Sequence, residues 1–75
     1  INIIPNPADE FIVIENNNQN ATDRYEIFDI NGKIVLSISA VTGKTLVDIA
    51  NLSSGKYFLR YTAKDKTLTK EFIIY

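Results

Sequence analysis

The sequence predicts an all-β fold, an antiparallel β-sandwich of about seven short strands, on three observations. Of its 75 residues, 22 are Ile, Val or Thr and 8 are Phe or Tyr, the types that fit a pleated, half-buried surface. No window carries an apolar stripe at i, i+3, i+4 and i+7 for more than about two turns, so no helix is expected. Short apolar runs recur instead, separated by clusters of Asn, Asp, Gly, Pro and Ser. Seven such runs with turn signals between them read as two antiparallel sheets packed face to face.

Ile1–Ile4 is the first run. Pro5-Asn6-Pro7 ends it, because prolines fix φ and donate no ladder hydrogen bond, and the break is expected to switch the chain between sheets. Phe11–Glu15 follows, with Phe11 and Val13 assigned to the core. Asn16-Asn17-Asn18-Gln19-Asn20 is polar and without period, hence a loop and the most mobile one. Arg24–Asp29 and Lys33–Ile38 flank Asp29-Ile30-Asn31-Gly32, which admits two hairpins. A two-residue type I′ turn at Asn31-Gly32 pairs Ile27 with Leu36 and Tyr25 with Ile38, giving an apolar face of Tyr25, Ile27, Ile34, Leu36 and Ile38. A type I turn from Asp29, with Gly32 left-handed as a bulge, pairs Ile27 with Val35 and lets the Asp29 carboxylate cap the turn.

Thr45–Ile49 contributes Val47 and Ile49 to the predicted core, joined by Leu52. In Leu52-Ser53-Ser54-Gly55-Lys56-Tyr57 a leucine, a glycine turn and a strand-opening tyrosine form the pattern of a corner between sheets. Gly55 is expected at positive φ and the Tyr57 hydroxyl bonded back to nearby backbone. Lys56–Thr62 alternates cleanly, with Tyr57, Leu59 and Tyr61 on one face and Lys56, Phe58, Arg60 and Thr62 on the other. Lys64-Asp65-Lys66 is a tight turn into Thr67–Tyr75, where Leu68, Phe72 and Ile74 share a face interrupted by Lys70.

Composition narrows the function. Without cysteine there is no disulfide, thiolate nucleophile or thiolate metal ligand. Without histidine the side chain best suited to proton transfer near pH 7 is absent as well. Eight basic and nine acidic residues give a net charge of −1 with no Lys/Arg run, which argues against a nucleic-acid partner. No apolar stretch reaches the roughly 18–20 residues of a membrane-spanning helix. The chain opens on Ile1 without the pattern of a signal peptide, and is expected to be one domain, residues 1–75, excised from a larger protein whose export signal, if any, lies elsewhere.

Side-chain chemistry is sparse. Asp9 and Glu10 are strand neighbours that point to opposite faces, a poor carboxylate pair. Asp29, Asn31 and Gly32 are faintly similar to a calcium loop, yet its later ligands and closing glutamate are missing, so a turn is expected. Asn20-Ala21-Thr22 and Asn51-Leu52-Ser53 match the glycosylation sequon, a pattern short enough to arise by chance. Tyr25, Tyr57, Tyr61 and Tyr75 suggest either an aromatic sugar-binding platform or, as favoured here, two or three core residues with a hydroxyl reaching the surface. The expectation is a protein without catalytic activity or cofactor.

Taken in order, Pro5-Asn6-Pro7, the Asp29-x-x-Gly32-Lys33-x-Val35 hairpin, Leu52-x-x-Gly55-x-Tyr57 and a closing Lys70-x-Phe72-Ile73 strand span nearly the whole sequence. This series resembles the type A C-terminal sorting domain of the Bacteroidetes type IX secretion system. The family pattern places an aliphatic residue at Val35, which favours the bulged hairpin. The resemblance implies an immunoglobulin-like, seven-stranded sandwich ending a cargo protein that enters the periplasm on a separate N-terminal signal. It implies recognition by an outer-membrane translocon, then removal by a cysteine-protease sortase with attachment of the cargo to the cell surface or its release. Carried over by position, the sorting-motif residues are Pro5, Asn6, Pro7, Gly32, Lys33, Gly55, Tyr57, Lys70, Phe72 and Ile73. Many members finish on one or two lysines, whereas this chain finishes Phe72-Ile73-Ile74-Tyr75. The other function class carried forward is an accessory carbohydrate-binding or spacer module of a secreted enzyme. An exposed edge strand is also expected to be open to pairing between copies.

Overall fold

A computed structural model describes residues 2–5, 8–16, 23–39, 43–64 and 66–75. It is all-β, with seven strands in two antiparallel sheets: β1 (Asn2–Ile4), β2 (Phe11–Asn16), β3 (Arg24–Phe28), β4 (Ile34–Ser39), β5 (Gly43–Asp48), β6 (Gly55–Thr62) and β7 (Thr67–Ile74). One sheet has the order β1-β2-β5 and the other β4-β3-β6-β7. Every predicted run is a strand. Ile1, Asn6, Pro7, the sequon at Asn20 and Asp65 of the predicted Lys64–Lys66 turn lie outside the described residues, as do residues 17–20 of the predicted loop. Asn16 belongs to β2 rather than to that loop, paired with Gly43 at the strand's end.

The Pro5–Pro7 break does not move the chain from one sheet to the other. β1 and β2 are neighbours in the same sheet, with Ile4 opposite Val13. Between them Ala8 reaches across to the second sheet: its amide donates to the Ile73 carbonyl and its carbonyl accepts from the Tyr75 amide, both at 2.8 Å. Ala8 is itself buried, so this bridge closes one end of the sandwich.

The core is Ile12, Ile14, Tyr25, Ile27, Val47, Ile49, Tyr57, Leu59, Tyr61, Phe72 and Ile74, with Ala8. β6 faces as predicted, Tyr57, Leu59 and Tyr61 inward. Val47 and Ile49 are buried, and Leu52 packs half-buried against them. Two core assignments are wrong: Phe11 is 48% exposed and Val13 half-buried, because the inward residues of β2 are Ile12 and Ile14. β2 is apolar at four successive positions and is the middle strand of its sheet, so both faces carry hydrophobic side chains. Leu68 is also outside the core, 42% exposed. A three-stranded sheet does not cover the whole of a four-stranded one, and the first five residues of β7 are exposed.

The β3–β4 hairpin combines parts of both expected geometries. Gly32 donates to the Asp29 carbonyl at 3.1 Å and Asp29 to the Lys33 carbonyl at 3.0 Å, a type I turn followed by a left-handed glycine. Asp29 Oδ1 caps it, accepting from the amides of Asn31 at 2.9 Å and Lys33 at 3.0 Å. The pairing expected from that turn, Ile27 with Val35, is nevertheless absent. A second irregularity follows: Phe28 opposes Ile34, while Ile27 opposes Leu36 and Tyr25 opposes Ile38. Val35 is the extra residue of a bulge, and the bulge lets Val35 and Leu36 both pack against the core.

Candidate functional site

Topology gathers the sequence motifs at one end of the sandwich. In the first sheet this end holds Ile4 of β1, Phe11 of β2 and Asp48 of β5. In the second it holds Phe28 of β3, Ile34 of β4, Gly55 of β6 and Ile74 of β7. Pro5, the Ala8 bridge, the Asp29–Lys33 turn, the corner from Ile49 to Gly55 and Tyr75 therefore lie together. The corner is held by short bonds: Ile49 donates to the Glu10 carbonyl at 2.9 Å, Leu52 to the Ile49 carbonyl at 3.0 Å, and Ala50 to Asp48 Oδ1 at 2.9 Å.

Individual motif residues divide into those that shape this end and those that decorate it. Gly32 has φ +83° and Gly55 φ +148°, both outside the range an L side chain readily adopts. A methyl group at either would meet nothing within 4 Å, so backbone conformation and not space selects glycine. Tyr57 is buried, stacks on Phe72 with ring centroids 6.0 Å apart, and donates its hydroxyl to the Ser53 carbonyl at 2.7 Å, as the corner pattern predicts. Phe72 is buried, Ile73 faces outward, and Lys33 and Lys70 are exposed. Lys70 stands apart, opposite Leu59 midway along β6. Asn6 and Pro7 lie outside the described residues.

Gly32→Ala provides a direct measure of the turn. With no clash to add, the cost is the left-handed backbone alone, about 1–2 kcal/mol. Thermal unfolding is expected to shift down by roughly 4–8 °C per kcal/mol in a domain of this size. An unchanged melting temperature would show that the turn contributes nothing to the fold.

The opposite end carries a polar cluster that no sequence pattern announced. Asp23 is 1% exposed and accepts a hydrogen bond from the Tyr61 hydroxyl through Oδ2. Tyr61 opposes Tyr25 in register, their rings 5.5 Å apart, and Asn16, buried at the end of β2, lies beside both tyrosines. The bond to Asp23, with burial, holds the Tyr61 hydroxyl above the ordinary tyrosine pKa; burial does the same for Tyr25. Tyr25, Tyr57 and Tyr61 are thus core residues, and Tyr75, 75% exposed, is not part of a four-tyrosine platform. Among the described residues no group of three or more His, Cys, Asp or Glu is placed to hold a metal ion.

The motif-bearing end offers fixed turns, a terminal strand tied down by the Ala8 bridge and polar chemistry residing mostly in backbone groups, the makings of a domain that is recognised by others. The family of secretion system C-terminal sorting domains matches residues 2–75, and the chain belongs to it. It is a type IX secretion sorting signal, of a family non-catalytic in general. Membership implies interaction with the type IX machinery and export across the outer membrane to the surface or the extracellular space. Among curated proteins none matches the chain.

Proposed function

We propose that residues 1–75 are the C-terminal signal domain of a larger secreted protein, itself without catalytic activity, read by the outer-membrane translocon after transit through the periplasm. The cargo lies N-terminal in the same chain, and a cysteine-protease sortase then removes the domain as the cargo is attached to the surface or released. The motif residues act in this reading as a recognition unit. Its main support is the convergence of Pro5, Gly32, Lys33, Gly55, Tyr57, Phe72 and Ile73, from separate parts of the sequence, on the end where β7 terminates.

The test is a fusion of residues 1–75 behind a reporter exported to the periplasm of a type IX-competent strain. The reporter is expected at the cell surface or in the medium, and deletion of Thr67–Tyr75 is expected to trap it in the periplasm. That deletion also removes the core residues Phe72 and Ile74, so the intact fusion carries the decision. A folded, intact fusion retained in the periplasm overturns the reading.

A further inference from the structure

The two sheets have four edge strands, and they are unequally protected. β1 is only three residues long, β5 pairs with β2 over six, and β4 is interrupted by the bulge at Val35. β7 is eight residues long and pairs with β6 without a break in register. Its last residues are covered by the Ala8 bridge, whereas Thr67–Glu71 has no neighbour on its outer side among the described residues. Long, unbroken edges invite pairing with another strand, and natural sheets usually blunt them.

The direction of the backbone groups follows from the bridge. Ile73 offers its carbonyl, and Tyr75 its amide, to Ala8, away from β6. Antiparallel ladders alternate direction residue by residue, so Thr67, Thr69 and Glu71 also turn their amides and carbonyls outward. The intervening residues Leu68 and Lys70 bond to β6. Side chains along the edge add a second element. Glu71 is already paired with Lys56 at 3.7 Å, while Lys66 and Lys70 are exposed and make no ion pair among the described residues. The charge left to a newcomer is positive. Beside the edge on the outer face, Thr69 borders a shallow depression lined by Phe58, Phe28, Ile30, Arg60, Gly32 and Asp29, the Asp29 carboxylate engaged by the Asn31 and Lys33 amides and the Arg60 guanidinium lying 4.5 Å over the Phe28 ring.

We propose that the Thr67–Glu71 edge of β7 is extended by a strand that bears carboxylate side chains and belongs to the type IX machinery. The added strand takes its hydrogen bonds from Thr67, Thr69 and Glu71, sets acidic side chains against Lys66 and Lys70, and has an apolar side chain to place in the depression beside Thr69. A second copy of the chain is the poorer occupant: the antiparallel alignment that pairs all of Thr67–Glu71, with Thr69 opposite its counterpart, sets Lys70 opposite Leu68 and offers it no carboxylate, and the shifted alignments oppose Lys70 to its own counterpart or to Lys66, a like-charge pair. The proposal rests on the sorting-signal reading and adds to the motif-bearing end a second contact, along the other half of β7.

The experiment compares Thr69→Pro with the wild type in the same reporter fusion. Proline removes an amide that faces away from β6 and puts a ring in the path of the added strand, while the β6–β7 ladder keeps all its bonds. Thermal unfolding of the purified fusion is expected to change little, and the exported fraction to fall about tenfold, the effect of losing roughly one hydrogen bond and its neighbouring contacts. Lys70→Glu, which touches no backbone bond, is expected to reduce export in the same direction. If Thr69→Pro fails to fold, Lys70→Glu alone decides. A variant that folds and is exported at the wild-type level overturns the edge contact while leaving the signal reading intact. Retention of the wild-type fusion overturns the signal reading itself. A concentration-dependent dimer of the wild-type fusion that Thr69→Pro abolishes assigns the edge to a second copy and overturns the proposal as well.

Discussion

Phe72→Ala is expected to destabilise the domain by about 3–5 kcal/mol, the usual cost of emptying a fully buried phenylalanine site. Phe72 is 1% exposed, lies opposite Tyr57 in register and stacks on its ring. β7, β6 and β3 are joined by continuous ladders, so collapse into the vacated space is limited. Domains of this length have about 4–11 kcal/mol of stability in all, from roughly 0.05–0.15 kcal/mol per residue. The substitution therefore removes a large share of it, and the melting temperature is expected to drop by at least about 12 °C. Without a disulfide, nothing else compensates. A melting temperature within a few degrees of wild type would refute the packing described for β7.

Ile73→Ala provides the contrast, because Ile73 is adjacent in the motif and faces outward. Its backbone bond to Ala8 survives the change, and the stability cost should stay near 0.5 kcal/mol, the ordinary size of a surface substitution. Two neighbouring motif positions thus have different physical meanings. Loss of export in Phe72→Ala would follow from unfolding alone. Loss of export in Ile73→Ala, with the fold retained, would mark a residue that the machinery contacts.

How much of this was legible in the sequence depended on how polarised each strand is. β6 alternates Tyr57, Phe58, Leu59, Arg60 and Tyr61, and the charged residue fixes which side faces out. β2 reads Phe11-Ile12-Val13-Ile14, where either parity satisfies an apolar face; only its register with β1 and β5 decides, and Phe11 and Val13 were accordingly misplaced. The hairpin shows the same limit. Asp29 and Gly32 announce their turn through local chemistry, which needs no tertiary information. The bulge at Val35 has no such signal, since Ile34-Val35-Leu36 is uniformly apolar and the bulge arises from fitting that run over the core. Motif residues could be found by order and spacing, but their convergence at one end is a property of topology. Asp23 was invisible for a simpler reason: it adjoins a strand, like many solvated aspartates, and its partner Tyr61 is 38 residues away.

That partnership supports the other large effect. Tyr61→Phe keeps the ring and its contact with Tyr25 while deleting the hydroxyl that donates to a buried carboxylate. Hydrogen bonds to charged groups contribute about 1.5–3 kcal/mol, and a buried acceptor has no bulk water to replace the lost donor. A loss of that size is expected in urea unfolding at pH 7, and its pH dependence identifies the cause. The folded-state pKa of Tyr61 is raised, first by its bond to Asp23 and then by burial, over an unfolded value near 10. Below about pH 10 both states keep the phenol protonated, so the full contribution is present and the difference between wild type and variant should be flat. Above it the unfolded wild-type chain releases the Tyr61 proton while the folded one retains it, which favours unfolding. The wild-type advantage therefore shrinks as pH rises through the folded pKa. Phenylalanine has no proton to release, so the variant lacks this component of alkaline destabilisation, while the one from Tyr25 is common to both proteins. Unfolding curves collected between pH 7 and pH 11 should thus converge only at the alkaline end. A difference independent of pH throughout would assign the effect to packing and remove the buried hydrogen bond as its cause.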